Sequence, residues 1–175
     1  MSSQNQNVNW IPKVDPEPEV FDIIQPVLQY PGDNGNYWSV KSWYVTLNSG
    51  VLVTPEISCQ PGDVIYGNMT MTKSGMFSGT WFIGGTNWRT GQTAGLSADK
   101  ARLKKQPWAY TTVECYGCQD CSFLPTNELI FSGMTAAVKG TNAPLSWTAY
   151  TTPNPVCHTT AHIQSSERVT YSFQQ

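Results

Sequence analysis

The stretch that decides the fold is YWSVKSWYVTL (residues 37–47), followed by the turn PGD (61–63) and the segment VIYGNMTMT (64–72). β-Branched and aromatic residues dominate the first segment, as is typical of strands. Apolar and polar residues alternate along the second segment, which predicts a half-buried strand. Two such segments, with a glycine-containing turn before the second, predict antiparallel β-structure rather than helix.

Short strand-like segments continue on both sides of this stretch. Five prolines between residues 12 and 31 exclude a regular helix there, and a short extended piece is expected at Val27–Gln29. Because turn residues separate the downstream β-rich segments, the series predicts an all-β fold, a two-sheet antiparallel β-sandwich or jelly roll with at most one short helix. The predicted downstream strands are Thr80–Ile83, Trp108–Tyr116, Leu129–Val138, Leu145–Thr151 and Arg168–Phe173.

The length of 175 residues and the mass of 19.4 kDa fit one domain. The polar start of the chain predicts a flexible N-terminal tail over residues 1–11. Residues 12–175 are expected to form a single β-sandwich domain. Charged residues make up 13% of the chain, about half of the usual ~25%, and this low charge suits a β protein.

The charge balance and the apolar runs exclude several classes of partner. Ten Lys and Arg against twelve Asp and Glu give a net charge of −2 and a pI near 5.6, so nucleic acid is not an expected partner. No apolar run approaches the ~20 residues that cross a bilayer, so no membrane association is expected. The start MSSQNQNVNW has no signal-peptide pattern, which predicts a cytoplasmic protein, or a secreted one whose leader was removed.

Several short motifs resemble, in their order and spacing, those of the glutamic peptidases (eqolisins, peptidase family G1). The resemblance covers roughly residues 27–173 and implies a two-sheet sandwich of the concanavalin-like type. The motifs that carry it are Val27-Leu28-Gln29, Trp43-Tyr44, Pro61-Gly62-Asp63-Val64-Ile65, Ala109–Glu114, Phe123-Leu124-Pro125, Ile130-Phe131 and Arg168–Tyr171.

The resemblance also implies a catalytic pair, from which this chain departs. The family uses a Gln that donates to the oxyanion and a Glu that serves as general base and acid. Gln29 stands at the position of the family's Gln, but Tyr110 stands at that of its Glu. A phenol with a pKa of ~10 is a poor base at acidic pH. Glu114 has the same strand parity but lies about 13 Å further along, at ~3.3 Å per residue.

Four of the five cysteines have a spacing with three alternative uses. A Cys-x-x-Cys-x-x-Cys run followed by a distant Cys157 or His158 would supply four ligands for zinc. A disulfide, such as Cys118–Cys121 or a bond to Cys157, is the second alternative, and free thiols are the favoured third. No metal or other cofactor is therefore expected. The candidate metal ligands are Cys115, Cys118, Cys121 and Cys157.

The aromatic residues are the most informative group for function. A sheet face that carries Trp and Tyr beside a few polar groups suits a glycan or an extended peptide as ligand. The residues Gly84-Gly85 and Asn87–Gly91 are expected to form a loop at the rim of this face. The candidate ligand-binding residues are Trp43, Tyr44, Trp88, Trp108 and Tyr110.

Two functions from different classes follow from these residues. The favoured one is a non-catalytic, lectin-like carbohydrate-binding module with an aromatic-lined concave face. The alternative is an acid hydrolase similar to the glutamic peptidases, which uses Gln29 with a Glu such as Glu114. A structural protein without a ligand is a third, plainer interpretation. The sequence does not determine the oligomeric state. Asn68-Met69-Thr70 forms an N-glycosylation sequon, which is relevant to a secreted chain.

Overall fold

The computed structural model describes residues 22–46, 50–74, 79–99, 109–116, 120–149 and 159–173. The chain divides into a first unit, Pro12–Trp108, and a second unit, Met1–Ile11 with Ala109–Gln175. In the described residues the strands are antiparallel, and the helical structure is a three-residue 3-10 turn, Cys121–Phe123. The all-β prediction is confirmed. The concanavalin-like type and the single domain over residues 12–175 stay predictions.

Sheet A of the first unit is built around one long central strand. β1 (Asp22–Gln29), β2 (Trp38–Thr46) and β3 (Gly50–Val53) are hydrogen-bonded in that order, and β4 (Ile57–Cys59) pairs with the other half of the same edge of β2. The predicted strand over residues 37–47 is therefore confirmed as β2. Sequence analysis missed β3 and β4, which are too short to show a clear alternation.

Sheet B of the first unit contains three strands in sequential order. They are β5 (Ile65–Ser74), β6 (Gly79–Asn87) and β7 (Thr93–Ala98). β5 confirms the predicted strand at 64–72. β6 runs past the predicted Ile83 end, so Gly84-Gly85 lies within a strand and not in a rim loop, which corrects the prediction. Glycine is needed there for close packing, because a Cβ on Gly84 would lie 2.8 Å from the Phe82 ring.

The two sheets of the first unit pack face to face through alternate residues of β2. Tyr44 packs with Ile83 and Ala98 of sheet B, and the Ser42 hydroxyl donates a 2.6 Å hydrogen bond to a carbonyl of β7. Val40, fully buried, faces the backbone of Gly85, where an added Cβ would lie 2.3 Å from Val40 Cγ1. The absence of a side chain on Gly85 therefore sets how closely the sheets approach.

The second unit contains a three-stranded sheet C and a separate hairpin. Sheet C has the order β11 (Thr160–Ser165), β12 (Arg168–Ser172), β8 (Leu129–Ser132). The hairpin pairs β9 (Ala136–Val138) with β10 (Thr141–Ala143). The predicted strand Leu129–Val138 is thus two strands, because Gly133 between them takes a φ of 64°, which lies outside the β region. The predicted strand Arg168–Phe173 is confirmed as β12.

Two predicted strands of the second unit are wrong in their described parts. Residues 109–116, from the predicted strand Trp108–Tyr116, and residues 145–149, from Leu145–Thr151, are irregular. Near the start of the first segment, the Tyr171 hydroxyl donates to the Thr111 carbonyl at 2.6 Å. The Thr111 carbonyl thus accepts from a side chain of β12 rather than from the backbone N–H of a neighbouring strand.

The first prediction tests the sheet-to-sheet contact through Gly85→Ala. The new Cβ meets Val40, so we expect a loss of unfolding free energy of about 1–3 kcal/mol, as for other overpacked cores. Urea denaturation measures it. Val40→Ala in the same chain should relieve the clash, so the double variant should lose less than the sum of the single losses. Gly35→Ala is the control, because its Cβ would sit 3.5 Å from Tyr37, an ordinary contact. If the double variant loses as much unfolding free energy as the two single variants together, residues 40 and 85 are not in contact and the prediction is wrong.

Candidate functional site

The outer face of sheet A carries two of the buried polar side chains of the first unit, Ser39 and Lys41. Because Val40, Ser42 and Tyr44 point at sheet B, the residues between them point outward. The register of β1 on β2 pairs Gln29 with Ser39 and Gln25 with Trp43. Paired residues share a face of a sheet. We call this surface the Lys41 face; it consists of Gln25, Val27, Gln29, Ser39, Lys41 and Trp43.

Two hydrogen-bonding groups on the Lys41 face are buried without a partner. Ser39 is fully buried, and Trp43 is half-buried with its Nε1 atom out of reach of solvent. Neither Ser39 Oγ nor Trp43 Nε1 has a hydrogen-bond partner among the described residues. Leaving such a group unpaired costs about 1–3 kcal/mol. Because neither atom is reached by solvent, oxygen atoms of a ligand would accept hydrogen bonds from them only after neighbouring side chains move aside.

Lys41 lies between these two groups on the same face. Its side chain is 8% exposed, and its ammonium forms an ion pair with the half-exposed carboxylate of Asp33. The same Nζ lies 5.7 Å from the centroid of the Trp43 ring, within the range of a cation–π contact. The ammonium is therefore neutralised from one side and held against an aromatic ring on the other.

Asp33 is held in place by Glu56, which fastens the turn before β2. The Tyr37 hydroxyl donates to Glu56 Oε1, the Asp33 backbone N–H donates to Oε2 at 2.8 Å, and Asn34 Nδ2 donates to Oε1 at 3.2 Å. These donors, Tyr37 first, lower the pKa of Glu56 to about 2. Ser39 also lowers this pKa, although its Oγ makes no hydrogen bond of normal geometry.

The structure separates the sequence-predicted residues of sheet A. Gln29 and Trp43 lie together on the Lys41 face. Tyr44, predicted beside Trp43 as a ligand contact, is 5% exposed and packs in the core. This corrects the prediction, because adjacent residues of a strand point to opposite faces. Sequence analysis missed Ser39 and Lys41, although the alternation of β2 places them beside Trp43.

Trp88 lies in the β6–β7 loop, where its side chain is 73% exposed. Asp63 fixes this loop: it forms an ion pair with Arg89 and accepts a 2.7 Å hydrogen bond from Asn87 Nδ2. The pKa of Asp63 is far below its usual range, first because of Arg89 and then because of the Gln60 N–H. Asn87 is fully buried and accepts from the Arg89 N–H at 3.0 Å. The loop that carries the exposed Trp88 indole is therefore held in place by an ion pair and by hydrogen bonds.

Tyr110 and Glu114 belong to the second unit, whereas Gln29 belongs to the first. Glu114 accepts a 2.6 Å hydrogen bond from the Tyr116 hydroxyl, which raises the pKa of Tyr116 to about 12. Burial, and then the charge of Glu114, raise the pKa of Tyr110, so its phenol stays protonated to a higher pH than that of a free tyrosine. The pairing of Gln29 with Glu114 stays a prediction, and Trp108 lies outside the described residues.

The cysteines of the second unit are oxidised where the structure describes them. Cys115 and Cys121 are disulfide-bonded, so their sulfurs are neither free thiols, as favoured from the sequence, nor thiolate ligands for zinc. Cys118 and Cys157 lie outside the described residues. In the first unit Cys59 is a free, buried thiol, and burial raises its pKa. No group of three or more His, Cys, Asp or Glu in the described segments could hold a metal ion.

Comparisons with protein-family models, curated proteins and solved structures found no match to this chain. The resemblance to the glutamic peptidases therefore stays an expectation. Within the described ranges, no helix is long and apolar enough to span a bilayer. The candidate site consequently rests on the geometry of the Lys41 face.

The second prediction concerns pH and Glu56. The folded-state pKa of Glu56, about 2, lies below its ordinary 4.5, so its contribution to stability is complete above about pH 5 and is lost as the pH falls toward 2. Glu56→Gln should flatten the dependence of the unfolding free energy on pH in that window, as measured by urea denaturation at several pH values. Asp99→Asn, at an exposed carboxylate of the same unit, is the matched control. An unchanged slope in Glu56→Gln would contradict the assignment.

Proposed function

We propose that the protein is a non-catalytic, lectin-like module that binds a glycan on the Lys41 face, on a concanavalin-like sandwich. The observation that carries the proposal is that Ser39 Oγ and Trp43 Nε1, on either side of Lys41, are buried without a hydrogen-bond partner of normal geometry among the described residues. Buried polar groups without partners are rare in folded proteins and need an explanation. A ligand rich in oxygen acceptors supplies one.

The chemistry of the face fits a sugar better than an apolar ligand. Trp43 offers an aromatic surface together with an indole N–H, the combination that sugars and other amphipathic ligands use. The serine hydroxyl, the indole N–H and the ammonium all donate, whereas the amides of Gln25 and Gln29 on the neighbouring strand both donate and accept. Hydroxyl groups of a glycan match this mixture, because each hydroxyl also donates and accepts.

The hydrolase alternative has weaker support than the binding module. Gln29 lies on the Lys41 face, as an oxyanion donor would require. Two carboxylates lie at the edge of that face: Asp33 is paired with Lys41, and Glu56 accepts hydrogen bonds from Tyr37 and the Asp33 N–H, which lower its pKa. A carboxylate that is already engaged in this way is unsuited to taking a proton from water. We therefore keep the peptidase as the alternative and the binding module as the proposal.

The third prediction tests the proposal with a glycan array and two variants. Ser39→Ala removes an unpaired hydroxyl, so its thermal stability should be unchanged or higher while glycan binding weakens. Trp43→Ala removes the stacking ring, a contribution of ~1 kcal/mol, or about a fivefold loss of affinity. Titration calorimetry with a glycan that gives a signal on the array measures both changes.

Trp88→Ala is the matched control, because it removes an exposed indole of the same unit away from the Lys41 face. An array without any signal would contradict the glycan proposal. If Trp88→Ala loses binding and Ser39→Ala retains it, the site is the β6–β7 loop instead. A fall in stability of Ser39→Ala with unchanged binding would show that its hydroxyl serves the fold.

The fourth prediction concerns catalysis. We expect no peptide cleavage above background between pH 2 and pH 7, because Tyr110 replaces the carboxylate that the resemblance requires. A casein or fluorogenic-peptide assay across this range measures it. Acid proteolysis that is abolished by Gln29→Ala or Glu114→Gln would support the hydrolase and overturn the non-catalytic proposal. Activity that survives both substitutions would indicate a contaminating peptidase.

A further inference from the structure

The sequon Asn68-Met69-Thr70 lies within strand β5 and is the only Asn-x-Ser/Thr triplet in the chain. The Thr70 hydroxyl donates a 2.9 Å hydrogen bond to Asn68 Oδ1. The two side chains that define the sequon are thus neighbours on one face of the strand.

That face of β5 points away from sheet A. The register pairs Met69 with Ile83, which is fully buried against sheet A, so Asn68 and Thr70 point to the opposite side. Thr70 is exposed and Asn68 is partly buried. The residue paired with Asn68 on β6 is Gly84, and the ring of Phe82 covers the position of its missing side chain, so a substituent on the amide would extend away from β6.

β5 is also an edge strand of sheet B in the described part of the chain. A long edge strand with exposed apolar side chains is a site of unwanted pairing with other chains. Tyr66, Met69 and Met71 are 55%, 45% and 36% exposed on this strand. A bulky, soluble group on Asn68 would cover that edge on the side of Tyr66, which shares its face, whereas Met69 and Met71 lie on the opposite face.

The oxidised cysteines indicate the compartment in which such a group is added. Cys115 and Cys121 are disulfide-bonded, and structural disulfides form in secretory and extracellular compartments and are rare in the cytosol. Asparagine glycosylation takes place on secreted chains. The disulfide-bonded cysteines and the sequon lie in different units, so they are independent observations that indicate the same route.

We propose that Asn68 is an N-glycosylation site, which is modified when the chain passes through a secretory compartment. In the transfer, Asn68 Nδ2 forms a bond to the anomeric carbon of an oligosaccharide carried on a lipid diphosphate. The bond from that carbon to the diphosphate breaks, the lipid diphosphate leaves, and Nδ2 loses one proton. No oxidant or reductant is required. The proposal is independent of any glycan bound at the Lys41 face.

The fifth prediction tests this modification in the full chain, expressed behind a secretion signal in a eukaryotic cell line. Intact mass spectrometry should show an N-glycan on most of the secreted protein. Digestion with peptide N-glycosidase should remove it and leave the Asn68→Asp conversion, which peptide mapping locates. Asn68→Gln and Thr70→Ala should each abolish the modification, whereas Thr70→Ser should retain it, because serine also completes the sequon.

Two further variants make the result decisive. Thr72→Ala changes the next exposed threonine of β5 and should leave the glycan in place. Pro144→Thr creates a new sequon at exposed Asn142. A glycan at Asn142 would show that the oligosaccharide-transferring enzyme had access to the chain. A secreted chain that is modified at Asn142 but bare at Asn68 would overturn the proposal, and so would one that carries no glycan while its cysteines are oxidised.

Discussion

The close approach of Val40 to the bare backbone of Gly85 is the contact on which the rest of the first unit depends. It brings β2 against the centre of sheet B and lets Ser42 bond a carbonyl of β7 at 2.6 Å. Once Val40 faces inward, the alternation of the strand directs the residues beside it outward. The Lys41 face is therefore a consequence of packing on the opposite side of the sheet.

The polar groups of the Lys41 face are held by a chain of contacts rather than by a single pair. Glu56 accepts from Tyr37 and from the backbone of Asp33 and so fixes the turn between β1 and β2. The turn presents the Asp33 carboxylate to Lys41, and Lys41 in turn lies over the ring of Trp43. Because the lysine is buried, removal of Asp33 would leave a buried charge without its partner, which is strongly destabilising.

Sequence analysis found the features that local patterning controls and missed those that distant contacts control. The strands at 37–47 and 64–72 have strong patterns, and both exist. The segment over residues 109–116 has an equally β-rich composition, yet it is irregular. Its Thr111 carbonyl accepts a hydrogen bond from the side chain of Tyr171 in β12, sixty residues away. Likewise, the alternation of β2 predicts that Trp43 and Tyr44 point to opposite faces of the sheet. Which of the two enters the core depends on a contact with another strand, where the backbone of Gly85 leaves room for Val40 and so directs Val40 and Tyr44 inward. Ser39 and Lys41 are polar and give no local sign that they are buried.

Ser39 Oγ and Trp43 Nε1 are informative because other residues at these two positions would fill the same space without leaving a buried donor unpaired among the described residues. Alanine or valine at position 39 would fill a fully buried site in a strand without a hydroxyl to satisfy. Phenylalanine at position 43 would keep a ring beneath Lys41 without the unpaired N–H. The chain instead places two donors on the same face, one on each side of a lysine whose charge is already balanced. A stability requirement alone favours neither group, and the proposal that this face binds an oxygen-rich ligand rests on that observation.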